Sequence, residues 1–186
     1  RMRLSAPIVG VREKSMSKTQ LILDVECYIN YFLIMFYNPK KDTFAWFETE
    51  DVMEKTDLIR KVMESAEIVT FNGNNYDIPL VSAALRGMDV RAIRHISDRI
   101  IKDDIKPWQI ERSYGPNLPL DHIDLIEVAP GQASLKIYGG RLACPKLQDL
   151  PVDPEATLTR EQMTTLREYC KNDVRTTAAL LTKLTP

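Results

Sequence analysis

The segment Leu21-Ile22-Leu23-Asp24-Val25-Glu26 sets two carboxylates inside a short, β-rich apolar run. Runs of this kind form central strands, buried on both faces. An ionised carboxylate among apolar side chains costs several kcal/mol unless a cation or hydrogen-bond donors compensate it. Any fold that keeps this strand central must therefore bring compensation to these two acids. Side chains alternate along a strand, so Asp24 and Glu26 point to the same face and meet at one spot near the strand's end.

The surrounding pattern supports a sheet. Tyr31–Tyr37 reads as a second strand, and the turn-forming Asn38-Pro39-Lys40-Lys41-Asp42 leads into a third over Thr43–Phe47, giving an antiparallel meander. Val52, Ile59, Val62 and Met63 recur at helical spacing and predict an amphipathic helix over Asp51–Ser65. Glu67–Phe71 is a fourth strand, running through the loop Asn72-Gly73-Asn74-Asn75 into a helix over Asp77–Arg86 that Gly87 ends. A mixed-charge helix over Val90–Lys102 follows, then an irregular stretch marked by Pro107, Gly115, Pro116 and Pro119, and a fifth strand over Ile123–Val128. Gly139-Gly140 weakens a helix over Ala133–Leu142 by about 1 kcal/mol per glycine relative to alanine. The last element is a long helix over Thr159–Leu184, opened by a Thr159/Gln162 capping box. The expected fold class is α/β, with a mixed five-stranded sheet flanked by helices.

Length and charge bound the rest. A chain of 186 residues supports one compact domain. Residues 1–19 form a basic arm, with Arg1, Arg3, Arg12, Lys14 and Lys18 against Glu13 alone, and residues 20–186 form the domain. The apolar run Tyr31–Tyr37 is far shorter than the roughly 20 residues a bilayer requires, and the first twenty residues lack the core of a signal peptide. The expectation is a cytoplasmic protein without a membrane partner. Cys27, Cys144 and Cys170 are odd in number and widely spaced, which fits reduced thiols better than a disulfide framework or a cysteine zinc site. Lys and Arg total 25 against 26 Asp and Glu, a balance that counts against a phosphate-binding surface unless positive charge comes from elsewhere.

The acids supply a reason for it to do so. Asp77 opens the helix after strand four, and Asp173 lies in the last helix, one turn beyond Tyr169 on the same face. Clustered carboxylates raise one another's pKa unless a divalent cation holds them ionised. Oxygen ligands select hard ions such as Mg²⁺ or Mn²⁺, and a pair of such ions stabilises both the attacking and the leaving oxygen of a phosphoryl displacement. Each piece has a plainer reading: Asp77 as a helix cap, Tyr169 as core packing, Asp173 as an exposed helix acid, Asn72-Gly73 as a turn. Asp153-Pro-Glu155 repeats the Asp-x-Glu spacing in a proline-flanked loop. The combination and its order are what carry the signal.

Asp24-x-Glu26, Asn72-x3-Tyr76-Asp77 and Tyr169-x3-Asp173 resemble the three exonuclease motifs of the DEDD family, in its tyrosine subgroup. A histidine subgroup carries its His five residues before the last Asp, where this chain has Glu168. Within the family the chain is most similar to the proofreading 3′–5′ exonuclease domain of phage family A DNA polymerases, and Ser134-Leu-Lys-Ile-Tyr-Gly-Gly-Arg-Leu142 adds to that likeness. The resemblance spans roughly Leu21–Leu184. It implies a ribonuclease H-like fold, release of nucleoside monophosphates from single-stranded or frayed DNA 3′ ends, two divalent cations (Mg²⁺ or Mn²⁺), a linked or associated DNA polymerase, and the cytoplasm of a host cell. By motif, Asp24, Glu26 and Asp173 hold the first cation, Asp24 bridges to the second, Asp77 supports the second through water, and Tyr169 orients the attacking water. Asn72 shapes the loop near the substrate. RNA trimming in the manner of ribonuclease D shares these motifs, and a non-catalytic DNA-binding module of a polymerase is the alternative from a different class. The length leaves no room for the polymerase itself.

Outside the motifs, Tyr28 is the best candidate to stack on the terminal base, because it directly follows Asp24-x-Glu26; Trp46 and Trp108 are further aromatics of that type. Asp124 is an additional inward-facing acid, a candidate to support the others. His95 and His122 lack metal-spaced partners, and the basic residues from Arg86 to Arg112 are diluted by acids into a solvated mixed face.

Overall fold

The structure is a computed structural model that describes residues 18–131, 133–142, 144 and 149–185. The basic arm therefore lies, through residue 17, outside the described residues. β1 (Thr19–Tyr28), β2 (Tyr31–Asn38) and β3 (Thr43–Glu48) form the expected antiparallel meander. β4 (Ala66–Thr70) and β5 (Asp121–Asp124) add to it in parallel, giving one mixed sheet in the order β3-β2-β1-β4-β5. Every residue from Tyr31 to Tyr37 is buried, as a central strand covered on both faces requires.

Helices cover both faces. Leu23, Val25, Cys27, Phe32, Ile34 and Phe36 pack on one side against α1 (Glu50–Glu54), α2 (Thr56–Ser65), α3 (Asp77–Leu85), α4 (Val90–Asp103) and α5 (Pro107–Tyr114). Ile22, Tyr28, Leu33 and Met35 face the other way, against α6 (Leu125–Val128), α7 (Leu135–Arg141) and α8 (Arg160–Leu184). The even-numbered residues of β1 thus look toward α8, and Asp24 and Glu26 are two of them. Among the described residues no helix is long and apolar enough to cross a membrane.

Three expected elements differ. The helix over Asp51–Ser65 is broken at Lys55 into α1 and α2. The stretch read as irregular contains α5, with Pro107 in its first turn, where the missing N–H costs nothing, and Gly115 just past its end. The strand expected over Ile123–Val128 stops at Asp124, whose carboxylate accepts from the Ile126 amide at 3.4 Å and starts α6. An N-cap outweighs the β propensity of the residues after it.

α8 carries two of the candidate residues, and its start is set by reciprocal bonds: Gln162 N to Thr159 Oγ1 at 3.3 Å and Thr159 N to Gln162 Oε1 at 2.8 Å. Thr159→Ala removes one of them and is expected to lower stability by about 1 kcal/mol in denaturant titration, with an unchanged m-value.

Candidate active site

The site lies where two strands part. β4 pairs with β1 only over Thr19–Ile22, ending at Ile22↔Val69, while β1 runs on to Tyr28. Beyond that point no strand among the described residues pairs with β1 on its β4 side. A side chain takes over: Asp77, 3% exposed in the first turn of α3, accepts the Val25 amide on Oδ1 at 3.0 Å. Asp24 and Glu26 flank this bond. α8 closes over them with Tyr169, Cys170 and Asp173, so β1, α3 and α8 bring every expected motif acid to one place. The Cys170 thiol, fully buried, donates to Asp24 Oδ2 at 3.3 Å. Single ligand atoms of Asp24, Glu26 and Cys170 all lie within 4.8 Å of one another.

Charge in this space is uncompensated. Burial, with Asp77 and Asp173 adding repulsion, pushes the Asp24 carboxyl well above the ordinary range. Burial and the charges of Asp24, Asp173 and Asp77 do the same to Glu26. Burial raises Asp77 to about 7 against the pull of the Val25 amide. Burial likewise raises Asp173 to about 6, with hydrogen bonds from Tyr169 and Asn172 holding it down. Among the described residues, no lysine or arginine forms an ion pair with any of these four, and the charges that raise them are one another's and Asp124's. Tyr169 is half-buried, and its hydroxyl donates to Asp173; burial and the neighbouring carboxylates keep the phenol protonated. A donor set of carboxylate oxygens with no internal cation fits a divalent metal ion.

The connection that delivers Asp77 is tightly built. Asn72, at φ 65°, donates its amide to Asp124 Oδ1 at 2.6 Å, and the Asn74 amide reaches Asp124 Oδ2 at 2.8 Å. The Asn72 side chain accepts from Asn75 Nδ2 at 2.7 Å, a bond within the turn itself. A Cβ on Gly73 would stand 2.1 Å from Thr70 Oγ1 and 2.5 Å from Thr70 Cβ. Thr70 is buried and its hydroxyl lies 2.8 Å from His122 Nε2, so it has nowhere to go.

Tyr28 requires a correction. Its ring is 2% exposed among core residues and its hydroxyl donates to the Val152 carbonyl at 3.2 Å, so it offers no open face for a base. Its even position in β1 signals this: it continues the row Ile22-Asp24-Glu26 into the core beneath α8. Trp46 is 40% exposed, but cations cover it, Lys171 Nζ lying 5.0 Å from the ring centroid. Cys170 is the neighbour of the motif acids that the sequence does not distinguish, and Asp124 is one that the sequence marks without showing what it holds. The thiol sits in an apolar helical row, and the grip on the loop depends on a turn that periodicity does not encode. The sequence matches no protein-family model and no curated protein.

Two outcomes follow from this geometry. Asp77 and Asp173 stand above the ordinary 3.8, so the folded chain holds protons that the unfolded chain releases. That stability is complete below pH 3.8 and is lost as pH rises through about 6 to about 7. In EDTA the melting temperature should fall between about pH 5 and pH 8, by about 2–4 °C per kcal/mol lost, and Asp77→Asn should flatten the slope in calorimetry. Gly73→Ala should cost about 1–3 kcal/mol in denaturant titration because Thr70 cannot yield.

Proposed function

We propose that the protein is a metal-dependent 3′–5′ exonuclease with a ribonuclease H-like fold, hydrolysing phosphodiesters at DNA 3′ ends and proofreading for a DNA polymerase. The observation that carries this reading is the convergence of Asp24, Glu26, Asp77 and Asp173, from β1, α3 and α8, with no lysine or arginine among the described residues in an ion pair with any of them. The sheet order, with three antiparallel strands followed by two parallel ones, agrees with the fold that the motif resemblance implies.

Asp24, Glu26 and Asp173 would hold one divalent cation, and Asp24 and Asp77 a second. When bound, the cations supply positive charge to the scissile phosphate and to the attacking and leaving oxygens. They also supply what the residue count lacks, so an enzyme gripping a few terminal nucleotides needs no basic surface. Asp77 keeps one oxygen on the Val25 amide, which fixes the direction of the other. Tyr169 stays protonated, and its bond to Asp173 holds the hydroxyl at the rim of the acid cluster, where it can orient a water.

The test is a time course on a 5′-labelled primer with a mismatched 3′ end, with and without Mg²⁺ or Mn²⁺. Stepwise shortening that requires the cation is expected. Asp24→Ala should abolish it, while Tyr169→Phe should leave a detectable rate, lowered by about 10²- to 10⁴-fold, the range over which a positioned proton-handling group acts. Undiminished turnover by Asp24→Ala would overturn the assignment, and preferential digestion of a competing RNA oligonucleotide would move the substrate class to RNA. Mn²⁺ should raise the melting temperature more at about pH 8 than at about pH 5, because protons compete for the same carboxylates.

A further inference from the structure

The loop that delivers Asp77 is held by a carboxylate from a different strand. Asp124 ends β5 and is 4% exposed. A carboxylate buried this deeply requires donors, and three backbone N–H groups supply them: Asn72 at 2.6 Å, Asn74 at 2.8 Å and Ile126 at 3.4 Å. Charge-assisted bonds of this length are about twice as strong as neutral ones, so the two loop amides are fixed relative to β5. The pairing of β4 with β5 ends at Thr70↔Asp124, which puts the grip where the loop leaves the sheet. From there the path to Asp77 is short and bonded throughout. The Gly73 carbonyl accepts from Tyr76 N at 3.3 Å and Ile78 N at 2.9 Å, binding the gripped turn to the first turn of α3. Asp77 then reaches Val25 of β1.

We propose that Asp124 is the positioning residue for the Asp77 half of the site: by holding the Asn72 and Asn74 amides it sets where the Asp77 carboxylate stands, while touching neither cation nor substrate. This rests on the two-cation reading above. Its consequence is that the halves of the site separate. Asp24, Glu26 and Asp173 stand on β1 and α8, which Asp124 does not grip, so losing Asp124 disturbs only the second cation.

The test compares wild type, Asp124→Asn, Asp124→Glu and a control, Glu127→Gln, which removes the charge from a bond to the Asn74 side chain and touches no loop amide. Asn offers one acceptor where two amides need one each; Glu keeps the charge and both oxygens but displaces them by a methylene, guarding against a failure to fold. Amide exchange followed by NMR should accelerate at least about tenfold at Asn72 and Asn74 in Asp124→Asn, with β1 and β2 amides unchanged. In Mn²⁺ titrations read by EPR, both Asp124 variants should weaken the looser class of sites by about 10- to 100-fold, the range for residues that support metal ligands from behind, and leave the tighter class alone. On DNA, kcat should fall with KM unchanged, and Glu127→Gln should match wild type throughout. Wild-type exchange at Asn72 and Asn74 in Asp124→Asn, an unweakened looser class in Asp124→Glu, or equal weakening of both classes would overturn the proposal. A wild-type chain that cleaves no DNA would overturn the nuclease reading, and the exchange measurement would still decide the role of Asp124.

Discussion

The parting of β4 from β1 after Ile22 is the constraint on which the rest of the arrangement depends. It leaves the end of a central strand with open backbone on one side and, on the α8 face, two carboxylates in a row of buried side chains. Backbone donors that lose a strand partner must find another, and Asp77 supplies one for Val25. The same bond draws the first turn of α3 against β1, and α8 then encloses the space from above. A gap in sheet pairing thus becomes a pocket of acids.

The acids fall into two kinds, distinguished by what answers their charge. Asp124 is surrounded by backbone N–H groups and is complete within the chain. Asp24 and Glu26 are pushed well up by burial and by their neighbours, with a weak thiol donor and one backbone bond acting against this on Asp24. A carboxylate whose donors are all internal is part of the scaffold; one whose charge remains unanswered is a demand on something outside the chain. This contrast, more than the number of acids, is what supports the proposed cation site.

Much of this was legible in the sequence because strand alternation and helical spacing act locally. The meander, the shared face of Asp24 and Glu26, and the start of α8 all follow from such patterns. The failures lie where a single cap or a remote segment decides the outcome. Pro107 begins a helix although prolines nearby mark a loop, and Asp124 ends a strand through its own side chain. Tyr28 lies in the core because helix α8 and the 152–158 segment cover it, a fact of tertiary packing. The candidate acids were legible as types and spacings. The gap that gathers them was not, because the length of a parallel pairing is set by where a remote strand turns away.

The placement of Asp173 and Tyr169 on the final helix bears on how the protein is made. A nascent chain that has emerged only through β5 carries Asp24, Glu26 and Asp77, yet lacks the residues that close the pocket and the apolar face of α8 that covers Ile22, Tyr28 and Leu33. The acids of β1 remain open to water and ordinary in their chemistry until that helix docks. Assembly of the site therefore waits on α8: the acid cluster is complete only once that helix has been made and has docked.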